Sequence, residues 1–195
     1  GDRGMITQKQ INTLSTTEGV DWITALKTGQ IRKLALSGAL QLGLFDEKNL
    51  FAVEHPDFPG ERLVACKNHD LAKLRAHKRE SLLAATTKEL EKVQNTVKRG
   101  RLAGKAQIGV RIGKVINKYK VAKHFLLTIE DKNVTFERRT DAIAEEAALD
   151  GIYVVRTSMT KNEATDEDAV RNYKKLANVE RAFRTMKSVS LKLRP

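Results

Sequence analysis

Asp150-Gly151-Ile152-Tyr153-Val154-Val155-Arg156-Thr157 is the stretch that decides the fold. A turn pair is followed by a β-branched, largely apolar run, the composition of a strand covered on both faces. Helices must supply that cover, so the run predicts an α/β core. Further along, Thr165-Asp166-Glu167-Asp168 has the form of a capping box, with Thr165 as N-cap and Asp168 at the third helical position. A helix is predicted from Asp166 to about Lys187. Near the start of the chain, Thr7 caps a short helix whose Ile11 and Leu14 share a face. Asp21-Trp22-Ile23-Thr24-Ala25-Leu26 alternates as a strand does.

Between these core segments lies different material. Residues 31–67 break into short apolar pieces, Leu50-Phe51-Ala52-Val53 and Leu63-Val64-Ala65-Cys66 among them, separated by turn residues such as His55-Pro56-Asp57. This is the pattern of a β-rich insertion, in which Asp46, Glu47 and Asp57 serve turns. Residues 68–118 read as a helical hairpin: one long helix to about Lys98, a break at Gly100 and Gly104, and a second helix from about Lys105. Its first helix carries a partial apolar stripe of Leu71, Leu74, Leu82, Leu90, Val93 and Val97. Residues 119–149 read as a β-hairpin around Asp131-Lys132-Asn133 and a helix. The expected division is therefore core over 1–30, insertion over 31–145, and core again over 150–195.

Charge is concentrated in the insertion. Of the formal +12, the segment from Lys92 to Ile129 carries +10 and contains no Asp or Glu. Lys98, Arg99, Arg101, Lys105, Arg111, Lys114 and Lys118 form most of that block. Like charges at this density repel one another and are relieved by a polyanion, whose condensed counterions are released on contact. These seven residues are the candidate DNA-contacting set. No run approaches the ~18 apolar residues of a membrane span, and no secretory signal opens the chain. A soluble, cytoplasmic protein is expected. One cysteine, Cys66, excludes an intrachain disulfide and reads as a small buried hydrophobe. Both ends, from Gly1 and to Pro195, read as cuts through a longer protein.

On the last helix Tyr173, Glu180 and Lys187 recur every seven residues, nearly two turns, so they share a face with Arg184 close by. A carboxylate suits a hard metal ion, and the neighbouring cations and hydroxyl suit phosphate oxygens. Ordinary ion pairing of Glu180 with Arg184 and Lys187 is the competing account of the same spacing.

The segment from Tyr173 to Lys187 resembles the Y-x2-R-x3-E-x6-K signature of insertion-sequence DDE transposases that have an RNase H-like fold with a β-strand insertion. Leu176 stands where that signature has arginine, and Arg181 and Arg184 lie close enough to compensate. Asp2-Arg3-Gly4-Met5 resembles the family's D-x-G box, and Leu191-Lys192-Leu193-Arg194-Pro195 its leucine–arginine–proline ending. Pro59-Gly60-Glu61-Arg62-Leu63, Lys123-His124-Phe125 and Asp150-Gly151-Ile152-Tyr153 are similar too. The resemblance implies an incomplete RNase H-like core, with its N-terminal strands upstream. It makes Asp2 the second and Glu180 the third acid of the catalytic triad, the first lying before Gly1. Two Mg²⁺ or Mn²⁺ ions are implied, with Tyr173, Arg181, Arg184 and Lys187 on the DNA backbone. The implied activity is cleavage of transposon ends and strand transfer into target DNA, by a homodimer that joins two ends in a bacterial or archaeal nucleoid. By itself this chain should be inactive. A basic DNA-binding module without chemistry and a degenerate transposase are the alternatives.

Overall fold

The computed structural model describes residues 6–185. The chain is mixed α/β and forms two compact units: a sheet unit, made of the residues up to Asn68 and from Ile152 onward, and a hairpin unit, His69–Gly151.

The sheet unit contains α1 (Gln8–Ser15), β1 (Ile23–Ala25), α2 (Thr28–Leu36), a 3₁₀ turn at Leu42–Asp46, β2 (Leu50–Val53), β3 (Arg62–Lys67), β6 (Ile152–Thr157) and α6 (Asp166–Thr185). Its strands run in the order β1-β6-β3-β2, and every neighbouring pair is antiparallel. Thr7 caps α1 through a capping box closed by Gln10. Thr165 does the same for α6: the Asp168 N–H donates to its Oγ1 at 3.1 Å, and the Thr165 hydroxyl donates back to the Asp168 carboxylate at 2.7 Å.

The run that decided the fold is the second strand of the sheet. Val154, Val155 and Thr157 are fully buried, because β6 has strands on both edges and helices over both faces. Val155 packs with Val64 and Cys66 against Ala169 and Val170 of α6. Cys66 is buried as expected, and burial pushes its thiol up to about 12 despite the hydrogen bond with Tyr153.

Residues 31–67 do not form the β-rich insertion expected of them. Residues 31–36 continue α2, where Ile31 and Leu34 are buried at helical spacing. Strands β2 and β3 join the core sheet, with β3 paired to β6 along its whole length. Only His69–Gly151 is set apart. Lys67 and Ile152 are register partners, so the hairpin unit occupies the place of a turn between two neighbouring antiparallel strands. An insertion there leaves the ladder intact, and loop closure grows only slowly with length.

The hairpin unit contains α3 (His69–Lys98), α4 (Lys105–Tyr119), a 3₁₀ turn at Ala122–His124, β4 (Phe125–Ile129), β5 (Val134–Arg138) and α5 (Thr140–Ala147). On α3 the buried residues are Leu83, Thr86, Leu90, Val93 and Val97, alternating three and four apart as in a coiled-coil seam. Ile108 and Ile112 of α4 are buried in the same core. The expected stripe is shifted by this: Leu74 is 63% exposed and belongs to no core. The break between the helices is a Schellman motif. Gly100 adopts φ +69°, its N–H donates to Val97 O at 2.8 Å, and the Arg101 N–H donates to Thr96 O at 3.1 Å. Asp131, in the turn between β4 and β5, caps α4 by accepting from the Lys105 N–H at 3.0 Å.

A polar cluster ties α5 into this unit. Arg79 is bridged to Asp150 at 2.6 Å, and Glu146 pairs with Lys123 while standing 3.1 Å from His124 Nε2. His124 is buried, and among the described residues its Nδ1 has no hydrogen-bond partner. Burial holds its imidazole below the ordinary 6.5, against the opposing pull of Glu146. The unfolded chain therefore takes up this proton at a higher pH than the folded one. Stability of the hairpin unit is expected to be complete above about pH 6.5 and to fall as pH drops through the folded value. Thermal melts at a series of pH values should show the decline, and His124→Gln should flatten it. An unchanged slope in that variant would assign the decline to other groups.

Candidate nucleic-acid interface

All ten cations of the acid-free block are exposed in the hairpin unit. Two have acidic partners: Lys92 is bridged to Glu89 at 2.6 Å, and Lys123 to Glu146. The other eight make no ion pair with a described residue. Their position follows from the seam, since α4 turns Ile108, Ile112, Val115 and Tyr119 towards the core and leaves Arg111, Lys114 and Lys118 on its solvent side.

The structure sorts the seven candidate residues into two groups. Arg101, Arg111, Lys114 and Lys118 line a cleft of about 500 Å³ between α3 and α4. Lys98, Arg99 and Lys105 are exposed at the turn between these helices and do not line it. Sequence reading left two charged lining residues out of the candidate set, Lys92 and Glu89. Their separation by three residues on one helix was the available signal. Among the described residues Glu89 is the one acid that lines the cleft, and the hydrogen bond from Lys92 holds its carboxyl below the usual value, so it remains ionised at neutral pH. Lys118 lies 5.1 Å from the centre of the Tyr119 ring, a cation–π distance that steadies its ammonium group.

The candidate catalytic residues lie mostly beyond what is described. Asp2 and Lys187 are outside the described residues. Glu180, Arg181 and Arg184 lie on α6, but their side chains are outside the description as well. Tyr173 is described: it is half-buried, packs beside Val170 on the sheet, and stacks on Tyr153 with ring centres 6.5 Å apart. Helix α6 is continuous from Asp166 to Thr185, so Tyr173 and Glu180 keep the seven-residue phase. Among the described residues no group of three His, Cys, Asp or Glu side chains could hold a metal ion. No described helix is long and apolar enough to cross a membrane.

No family model matches the chain, and no curated protein or solved structure matches it either.

Proposed function

We propose that this chain is the C-terminal part of the catalytic region of an insertion-sequence DDE transposase, its RNase H-like core interrupted by a basic DNA-binding insertion. The observation that carries the reading is α6, one unbroken helix on which Tyr173 and Glu180 are spaced as in the transposase signature. Its docking on the core supports the same reading: Ala169, Val170 and Tyr173 hold the helix on the sheet. The hairpin unit, entered and left at register partners, supplies the cationic surface that transposon ends and target DNA require.

In this reading Asp2 and Glu180 are the chain's carboxylates for the metal site. Bound Mg²⁺ or Mn²⁺ would stabilise charge on the attacking and leaving oxygens of the phosphoryl transfer. Arg181, Arg184 and Lys187 would hold phosphates of the transposon end. Tyr173 would both fix the helix and offer its hydroxyl to the backbone.

The rival is a DNA-binding module without chemistry, and the test exploits its indifference to metal. Mn²⁺ binding to the 195-residue chain is measured by calorimetry, with duplex DNA binding measured in parallel with and without the ion. The expected result is Mn²⁺ binding that weakens in Glu180→Gln and DNA binding that Mn²⁺ strengthens. Identical Mn²⁺ titrations for the two proteins, together with metal-independent DNA binding, would establish the rival.

A further inference from the structure

The excess charge could act as a diffuse cloud over the whole hairpin unit. The cleft argues for something more specific. Arg111, Lys114 and Lys118 fall within an arc of roughly 60° on α4 and span roughly 10 Å of its axis, about the axial length of three nucleotides of one strand. Lys92 and Arg101 line the same cleft. The cleft is a groove of about 500 Å³ along the seam of the two helices, room for a short stretch of one sugar–phosphate backbone and far too small for a whole duplex.

We propose that the cleft between α3 and α4 is a track for one phosphodiester backbone of duplex DNA, in which Glu89 competes with phosphate for Lys92. This rests on the DNA-binding part of the function proposed above and locates it. The Glu89–Lys92 bridge closes one cation to phosphate while Arg101, Arg111 and Lys114 stay open to it. An anionic membrane surface would need an apolar face beside the cations. On α4 that face is buried in the seam, and Val110 is its one exposed large apolar residue. Contacts to phosphate and sugar carry no sequence information, so binding through the track is independent of sequence.

The test is fluorescence anisotropy of the full 195-residue chain with a labelled duplex of arbitrary sequence, over a series of salt concentrations. Glu89→Gln should tighten binding roughly two- to five-fold, a gain that misfolding cannot imitate. Arg111→Ala with Lys114→Ala should weaken binding and reduce the salt slope by about 2, at ~0.9 per phosphate contact. Alanine suits both exposed helical positions, so the fold should be kept. Lys78→Ala with Lys132→Ala removes the same charge from exposed positions away from the cleft and should change the slope by less than half as much. Equal losses in the two double variants would overturn the track in favour of a diffuse cloud, and no gain in Glu89→Gln would overturn the competition of Glu89 with phosphate for Lys92. Tighter capture by phosphatidylserine vesicles than by duplex would overturn it in favour of a membrane. Failure of the unaltered chain to bind any duplex would remove the DNA-binding reading itself, an outcome distinct from binding that the cleft variants leave intact.

Discussion

Arg156→Ala is expected to destabilise the sheet unit by about 3–5 kcal/mol, the cost of removing one partner from a buried ion pair. Arg156 lies on β6, the best-covered strand, and is only 5% exposed. Its Nε donates to Glu61 Oε2 at 2.6 Å, and a second nitrogen donates to the other carboxylate oxygen. Gln8 of α1 accepts from the same guanidinium at 3.3 Å. The rings of Trp22 and Phe58 lie 5.4 and 5.0 Å from its central carbon. One planar cation thus ties together α1, the residue before β1, and the segment joining β2 to β3. Without it, the Glu61 carboxylate is left buried and unpaired. Arg156→Lys should rescue little, because an ammonium cannot match a carboxylate with two parallel hydrogen bonds. Replacing Arg156 and Glu61 together by Met and Leu should cost far less than either single change. Trp22 is the one tryptophan in the chain, so urea unfolding followed by its fluorescence measures all four proteins. A loss below about 1 kcal/mol for Arg156→Ala would show that the pair contributes little beyond its own desolvation.

Ile108→Ala should have an effect of similar size on the hairpin unit, about 2–5 kcal/mol. Ile108 is completely buried in the core that also contains Leu83, Leu90, Val93 and Val97. Alanine is the better helix former, so any loss reflects the cavity and not a weakened α4. Amide hydrogen exchange over α3 and α4 gives the free energy directly. The same variant links packing to binding. Arg111, Lys114 and Lys118 flank the face of α4 that Ile108 anchors in the core, so duplex affinity should fall although no charge has changed. Unaltered exchange protection would mean that the seam tolerates the cavity by collapsing around it.

Much of this architecture was legible in the residues, for local reasons. The N-cap at Thr7 and the capping box at Thr165 are closed within four residues, and both form. The two long helices, the break at Gly100 and the hairpin turn at Asp131 follow from periodicity and turn chemistry, which neighbours along the chain decide. The cationic block was equally plain, since charge can be counted without knowing the fold.

Membership was not legible in the same way. Leu50-Phe51-Ala52-Val53 and Leu63-Val64-Ala65-Cys66 looked like strands and are strands, yet β6, the partner that brings β3 and with it β2 into the core sheet, lies some ninety residues downstream of β3, and no local signal names a distant partner. The same limit hid Glu61 and Arg156. Each is an unremarkable charge along the chain, although an arginine inside an apolar run is a warning that a buried partner is needed. The cleft was hidden for a related reason: which cations line it depends on how α4 is rotated against α3, and that rotation is set by the packing of Ile108 and Ile112 against the α3 seam.

The sequence by itself therefore determined most of the helices and strands, the caps and the charge block, because each depends on interactions within a few residues; α2, read as part of a β-rich piece, was the exception. Only the tertiary structure decided that β2 and β3 belong to the core sheet, that Lys67 faces Ile152 across the ladder, and that Arg111 and Lys114 line one cleft with Glu89. Those facts arise from burial and pairing between distant segments, where the free energy is gained only once the chain has closed on itself.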